Sequence, residues 1–257
     1  LISMDAEWGI GMRLDDAFSF PYNMTLGAIE NDSLIYQVGK RIGFHAKRLG
    51  VQINFAPVVD INTNPANPII GFRSFGEDKY NVSNKALNYL KGMHYHGIMG
   101  AAKHFPGHGD TETDSHLTLP TIGFSKDRIE EVELYPFKKL IENGLDGIMT
   151  AHLNIPSLDK NKVSTLSKKV INNLLINDLG FKGLVITDAL DMKAIVDFSK
   201  GDYPDVSALN AGNDLLLMPT DVAKSIKELK KAIQKNKIST KTLEKAVKKN
   251  LMAKYKS

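Results

Sequence analysis

The 257-residue sequence predicts a TIM-type (β/α)8 barrel, an α/β fold with parallel strands. Short apolar runs alternate with amphipathic helical segments along the chain, which is typical of βαβ units. The runs are continuously apolar, as expected for strands that helices cover on both faces. Five of the six runs end in an acidic or imidazole side chain, and the active sites of such barrels collect at the carboxyl ends of their strands.

A doubly wound sheet is the alternative fold for these six predicted strands, and the sequence favours the barrel. Such a sheet would favour a glycine-rich phosphate loop after its first strand, but the short motif at 9–11 lacks the third glycine. Six strands are two fewer than a closed barrel needs, so we expect two N-terminal βα units to lie outside this chain. The predicted strands are 1–5, 53–60, 99–104, 147–152, 184–188 and 215–219.

Four helices between these strands are predicted from apolar side chains at helical spacing, each followed by a glycine that can end a helix. The third of them is expected to be interrupted near Pro136. Because no Gly/Ser-rich or Pro-rich linker divides the sequence, we predict one domain over 1–257, with Lys-rich helices at 221–257. The four helices cover about 34–49, 81–96, 127–143 and 167–179.

The composition excludes several classes of protein. With 42% hydrophobic and 24% charged residues, the chain has globular proportions, and no apolar run approaches the roughly 18 residues of a membrane span. The absence of cysteine excludes disulfide scaffolds, thiolate zinc sites and cysteine nucleophiles. The net charge of +4 arises in 221–257, which holds 12 Lys against 3 acidic residues. We interpret this excess as a solvated helical face, not as a nucleic-acid surface.

Chemistry-bearing residues concentrate in a loop after the third strand, residues 104–116. Within it, Asp114 and His116 stand two residues apart, and a carboxylate held against an imidazole produces a general acid/base near neutral pH. Taken alone, such a pair is unspecific. Asp188 follows the fifth strand, a place suited to a nucleophilic or charge-stabilising carboxylate. Asp60 and His152 also end strands; we expect Asp60 to anchor loops, and His152 either to contact a ligand or to have a structural role.

The loop sequence Lys103-His-Phe-Pro-Gly-His-Gly-Asp-Thr111, continued by Asp114-Ser-His116, resembles the signature of bacterial β-N-acetylglucosaminidases of glycoside hydrolase family 3. Further segments agree with that family in order and spacing, and the resemblance covers essentially the whole chain. One departure is Trp8-Gly9, where the family has Gly-Gly; Trp8 either stacks on a sugar or packs as core. The further segments are 5–13, 54–61, 71–78, 187–192 and 210–214.

The resemblance implies a retaining exo-β-N-acetylglucosaminidase that needs no metal or other cofactor. Asp188 would be the nucleophile that forms a covalent glycosyl-enzyme, and His116, oriented by Asp114, would protonate the leaving oxygen and then activate water. The implied substrate is a glycan or muropeptide containing N-acetylglucosamine, and further domains of the same polypeptide are expected partners. The residues implied to bind its hydroxyl and acetamido groups are Asp5, Arg13, Arg73, Lys103 and His104.

Three alternatives stay open at this point. A metal-dependent hydrolase on the same barrel would use His104, His108, His152 and Asp188 as ligands, although Lys103 beside His104 would repel a cation. Phosphorolysis is a second alternative, because a His acid/base tolerates an anionic acceptor. A non-catalytic carbohydrate-binding domain is the third. The sequence does not distinguish a bacterial cytoplasmic protein from an exported one.

Overall fold

The computed structural model describes residues 1–111, 119–199 and 203–256. The chain forms two compact units, one made of 1–110 and 127–149 and the other of 111–126 and 150–256. Among the helices of the described residues, none has the length and apolar character that crossing a membrane requires.

The first unit is built on parallel strands. Strand β1 (Ser3–Met4) pairs with β2 (Ile53–Asn54), with Ser3 opposite Ile53, and β2 pairs with β3 (Met99–Phe105). Strand β4 (Gly147–Thr150) follows β3 in the strand order. All seven residues of β3 are buried, which agrees with the continuous apolar runs of the sequence and places the ends of these strands at one edge.

Helices α1 (Asn23–Gly27) and α2 (Asp32–Arg48) pack against α3 (Lys79–His94), which itself packs against β3. Glycines let the backbones of α2 and α3 approach closely: a Cβ on Gly39 would lie 2.1 Å from the carbonyl oxygen of Tyr89. A Cβ on Gly92 would likewise lie 2.2 Å from the carbonyl oxygen of Tyr36. The close packing of α2 against α3 therefore requires glycine, which has no side chain, at these positions.

The chain after the His-rich loop is helical but irregular. A short helix α4 (Lys126–Arg128) continues into a π-helical turn, Ile129–Glu133, and helix α5 (Tyr135–Glu142) follows. Pro136 lies in the first turn of α5, where its missing N–H costs no helical hydrogen bond. The interruption predicted near Pro136 is confirmed.

The second unit contains strand β5 (Leu184–Thr187) and a π-helix, Lys169–Asp178. A core of Val163, Leu166, Leu190, Met192, Ile195 and Ala208 lies beneath α6 (Lys193–Ser199) and α7 (Pro204–Ala211). The Lys-rich segment forms two helices, α8 (Val222–Gln234) and α9 (Thr240–Lys256).

The sixth predicted strand, 215–219, is wrong. In the described residues this run makes one parallel bridge, between Ile186 and Leu215. Met218 adopts a left-handed backbone with φ 44°, and Pro219 has no N–H to donate to a neighbouring strand. The leucines at 215–217 are only partly buried, and the end of the run cannot continue as a strand.

Candidate active site

Lys103, near the end of β3, is the centre of the polar site in the first unit. Its side chain is 2% exposed. The ammonium Nζ donates to Asp5 Oδ1 at 2.8 Å and lies 2.7 Å from Glu7 Oε1. A buried charge is strongly unfavourable unless it is paired, so the two carboxylates that follow β1 are what allow an ammonium at this position.

Two arginines complete the network from other loops. Arg13 Nη2 donates to Asp5 Oδ2 at 2.7 Å. Arg73 makes a two-pronged contact with Glu7, through Nη2 to Oε1 at 2.7 Å and Nε to Oε2 at 3.0 Å. Glu7 is fully buried, whereas Asp5 is 29% and Arg13 50% exposed. The network is therefore closed around Glu7 and open to solvent at Asp5 and Arg13.

Both carboxyl groups of the network stay ionised at neutral pH. Burial by itself would raise the pKa of Glu7, but the charges of Lys103 and Arg73 outweigh it and lower this pKa to about 2. Burial opposes ionisation of Asp5 as well, and Lys103 and Arg13 nevertheless hold the pKa of Asp5 well below its ordinary value. These carboxylates accept hydrogen bonds but cannot supply a proton to a leaving group.

His104 is oriented by Asp60, which lies after β2. The ring atom Nδ1 lies 2.6 Å from Asp60 Oδ2, and Nε2 lies 3.3 Å from Arg73 Nη2. Because a guanidinium has only donors, this second contact is a hydrogen bond when the ring carries its proton on Nδ1. Burial would raise the pKa of Asp60, but its contacts with His104 and His108 lower it. The Lys103–His104 peptide bond is cis.

The beginning of the His-rich loop is anchored at several points. The backbone N–H groups of His104 and His108 both donate to the Asp60 carboxylate, at 3.1 and 2.7 Å. Asn67 Nδ2 donates to the carbonyl oxygen of His108 at 2.9 Å, and a Cβ on Gly109 would lie 1.8 Å from the carbonyl oxygen of Ile61. The loop-anchoring role expected of Asp60 is confirmed. Asp114 and His116 lie outside the described residues.

Asp188 follows β5 in the second unit and is half-buried. Its backbone N–H donates to the carbonyl oxygen of Thr150 at 3.0 Å, and its Oδ1 accepts from the N–H of Ala189 at 2.8 Å. These contacts fix the carboxylate at the carboxyl end of the strand. An ionised carboxylate in this position can act as an oxygen nucleophile or stabilise positive charge on a substrate.

His152 supports the same segment from the end of β4. Its Nε2 lies 2.9 Å from the carbonyl oxygen of Ala189, which only accepts, so Nε2 carries a proton and donates. Its Nδ1 lies 2.9 Å from Thr165 Oγ1, and the residue is 1% exposed. His152 thus holds the chain immediately after Asp188, which favours the structural role over the ligand contact.

The structure brings together one group of the predicted residues and adds a member that sequence reasoning missed. Glu7 is the missed residue. In an extended chain, residues two apart lie on the same face, so its spacing from Asp5 after β1 is the signal that could have found it. Asp188 belongs to the second unit. In the described residues, no group of three or more His, Asp or Glu side chains is placed to hold a metal ion. The predicted residues that contact one another are Asp5, Arg13, Arg73, Lys103 and His104.

Polar side chains at the carboxyl ends of parallel strands are the arrangement of an α/β-barrel enzyme's active site. The model of the glycosyl hydrolase family 3 N-terminal domain matches residues 1–252. The chain belongs to this family, and its fold is of the TIM-like α/β-barrel type that the sequence predicts.

Relatives of the chain among known proteins are longer than the chain itself. It is 40% identical over 235 residues to Beta-hexosaminidase A of Pseudoalteromonas piscicida, covering 85% of the chain and 39% of that protein. A glycoside hydrolase family 3 β-N-acetylglucosaminidase from Paenibacillus sp. str. FPU-7 is similar with a TM-score of 0.95 and 38% identity, over 100% of this chain and 50% of that one. The Beta-glucoside phosphorylase BglX is similar with a TM-score of 0.95 and 26% identity, over 100% and 48%. The chain thus spans half or less of the length of these proteins.

Proposed function

We propose that the chain forms the catalytic barrel of a retaining exo-β-N-acetylglucosaminidase. The observation that carries this proposal is the network centred on Lys103, which unites all five residues that the family resemblance implies for sugar binding. A sugar hydroxyl both donates and accepts hydrogen bonds, and bonds to charged groups are about twice as strong as neutral ones. The partly exposed Asp5 and Arg13 offer an acceptor and a donor to such hydroxyls, while Lys103 holds Asp5 in place and is itself paired with the buried Glu7.

The mechanism assigns covalent catalysis to Asp188. Its carboxylate attacks the anomeric carbon while the bond to the leaving oxygen breaks, and His116 gives its proton to that oxygen. The neutral imidazole then takes a proton from water, the water oxygen attacks the same carbon, and the bond to Asp188 breaks. Two inversions give retention of configuration. Asp114 would orient the His116 ring and raise its basicity.

An imidazole as the acid/base departs from the usual pair of carboxylates. A His is cationic as the acid and neutral as the base, so in neither form does it cause the like-charge repulsion that raises one pKa of a carboxylate pair. Asp5 and Glu7, whose pKa values are held low, could not serve as the acid. We therefore assign them to binding and keep proton transfer with His116.

The substrate class we propose is a terminal β-linked N-acetylglucosaminide, such as a peptidoglycan fragment. The names of the relatives, a beta-hexosaminidase and a β-N-acetylglucosaminidase, support this choice. Phosphorolysis is a second candidate, favoured by the similarity to a β-glucoside phosphorylase and by the tolerance of a neutral imidazole for an anionic acceptor. In that case phosphate would replace water in the second step and yield a sugar 1-phosphate.

Trapping of the glycosyl-enzyme tests the proposal. A 5-fluoro N-acetylglucosaminyl inactivator should label Asp188, as read by peptide mass spectrometry, and Asp188→Asn should lose turnover while Asp191→Asn, the matched control three residues on, keeps it. Digestion of a muropeptide with and without phosphate separates the two candidates by the presence of N-acetylglucosamine 1-phosphate. Label on Asp5, Asp60 or Asp191, or a product of inverted configuration, would show the mechanism to be wrong.

A further inference from the structure

Three aromatic side chains in the first unit, Trp8, Tyr22 and Phe72, pack against one another and are called the aromatic cluster below. The ring centroids of Trp8 and Tyr22 are 4.9 Å apart with planes at 87°, and those of Tyr22 and Phe72 are 4.5 Å apart. Trp8 and Phe72 complete the triangle at 6.1 Å. Edge-to-face packing of this kind gives the rings one defined arrangement.

The aromatic cluster is not a buried core. Tyr22 is 48% and Phe72 51% exposed, and Trp8 is half-buried. Adjacent exposed aromatic rings, held by their own contacts, can mark a surface that binds a ligand. Of the two interpretations of Trp8, core residue or stacking residue, the structure favours the second, because the ring packs on two neighbours and remains accessible.

The aromatic cluster is continuous with the Lys103 network through the chain itself. Trp8 follows Glu7, and Phe72 precedes Arg73 in a single 3₁₀ turn, Gly71–Arg73. Glu7 and Arg73 form an ion pair at 2.7 Å, so one ion pair joins the chain neighbours of Trp8 and Phe72.

Local hydrogen bonds hold the cluster in register with the network. The carbonyl oxygen of Trp8 accepts from the N–H of Phe20 at 2.7 Å. Asn23, next to Tyr22, donates through Nδ2 to the carbonyl oxygen of Arg73 at 2.8 Å. The three segments that bring rings to the cluster are thus tied together independently of the ring contacts, which presents a pre-organised surface to a ligand.

We propose that the aromatic cluster binds the second sugar of the glycan, the ring linked to the terminal N-acetylglucosamine. The inference rests on the proposed function and adds a specificity element to it. A pyranose ring has an apolar C–H face, which suits an aromatic surface, and a hydroxyl-rich edge, which suits charged donors and acceptors. The chain joins both kinds of group within one residue of each other, at Glu7–Trp8 and at Phe72–Arg73.

Fluorescence gives a direct test, because the sequence contains one tryptophan and Trp8 therefore reports on the cluster alone. The Asp188→Asn variant prevents turnover during titration. Triacetylchitotriose should shift the emission of Trp8 in a saturable manner, whereas N-acetylglucosamine, which reaches the Lys103 network only, should leave it nearly unchanged. No shift with triacetylchitotriose, or a shift that depends on protein concentration without sugar, would overturn the proposal, the latter in favour of contact between two copies.

Kinetics test the same surface in the active chain. Phe72→Leu and Tyr22→Leu keep apolar volume but remove the aromatic face, and we expect KM for triacetylchitotriose to rise about tenfold, a loss of about 1.4 kcal/mol in binding. The constant for inhibition by N-acetylglucosamine should stay within twofold. Phe72→Tyr should retain the parent KM, and Tyr80→Leu, another ring about half exposed, is the matched control. Equal KM in the parent and both Leu variants would overturn the proposal.

The outcomes separate the two levels of inference. Hydrolysis of triacetylchitotriose without a Trp8 signal and without a change in KM removes the aromatic subsite and leaves the proposed function intact. A saturable Trp8 signal with triacetylchitotriose, but no hydrolysis by the parent chain, removes the proposed function and supports the subsite as a binding surface.

Discussion

Glu7 allows a quantitative test of the buried network. The change Glu7→Gln keeps the shape of the side chain but removes the charge that Lys103 and Arg73 face. Both cations are largely buried; Lys103 would keep its contact with Asp5, whereas Arg73 would lose the two-pronged contact with a carboxylate. We expect a large loss of stability at neutral pH, because removing one charged partner from a buried ion-pair network is strongly destabilising.

The magnitude follows from the pKa of Glu7. The fall from the ordinary value of 4.5 to about 2 corresponds to about 3 kcal/mol of folding free energy at pH 7. The pKa is lower in the folded than in the unfolded state, so this stabilisation is complete above pH 4.5 and decreases as pH falls toward 2. The difference in stability between the parent and Glu7→Gln should therefore shrink by about 2 kcal/mol between pH 5.5 and pH 3.

Urea unfolding at several pH values between 3 and 7 measures this difference, with ΔG taken from transitions of equal slope. Glu131→Gln is the matched control, because Glu131 is 77% exposed and its nearest cation, on Lys79, lies 3.8 Å away. A surface pair of this kind contributes about 0–1 kcal/mol. A Glu7→Gln loss below about 0.5 kcal/mol at pH 7, or one that does not change with pH, would refute the electrostatic reasoning.

Three further predictions concern the acid/base, the support of the nucleophile and the packing of the first unit. His116→Ala should lose about 10²–10⁴-fold in activity on disaccharides and much less in the glycosylation step with nitrophenyl glycosides, with a glycosyl-enzyme accumulating in rapid-quench experiments; equal slowing of disaccharides and nitrophenyl glycosides in both steps, with no intermediate accumulating, would contradict the assignment. His152→Phe removes the N–H that the Ala189 carbonyl accepts, so we expect kcat to fall at nearly constant KM and the unfolding free energy to drop by about 1–3 kcal/mol, measured by steady-state kinetics and urea unfolding; an unchanged kcat would mean that the contact does not position Asp188. Gly39→Ala should destabilise by about 1–3 kcal/mol because its Cβ would lie 2.1 Å from the Tyr89 carbonyl oxygen, whereas Gly123→Ala, with no atom within 4 Å of its Cβ, should be nearly neutral in the same unfolding assay.

Helix ends were predictable because one residue decides them. Gly50, Gly97, Gly144 and Gly180 each follow a predicted helix, and all four adopt positive φ, between 67° and 83°. A left-handed residue after the last turn is available to glycine at little cost, so the sequence position of the glycine and the end of the helix coincide.

The partners within the site could not be predicted, since pairing depends on distance in space. Lys103 contacts Asp5 across 98 positions of the chain, and Arg73 contacts Glu7 across 66. The spacing of two residues from Asp5 marks Glu7 as a candidate, but nothing local shows that Glu7 pairs with Arg73 and Lys103. Apolar runs are ambiguous as well: residues 215–219 are as apolar as a strand, yet the left-handed backbone of Met218 and the missing N–H of Pro219 end the extended segment. That two further βα units complete the barrel stays a prediction.

The single ammonium of Lys103 is shared by two carboxylates, and this sharing limits how related sequences can diverge. A substitution that neutralises Glu7 removes the carboxylate that both Arg73 and Lys103 contact, so it changes the surroundings of both cations in the same step. We expect positions 7, 73 and 103 to change together among descendants of a common ancestor, as one inherited unit. Arg13, half exposed at the rim, is free of this restriction and should be replaced independently, so lineages can alter the rim of the site while the interior stays constant.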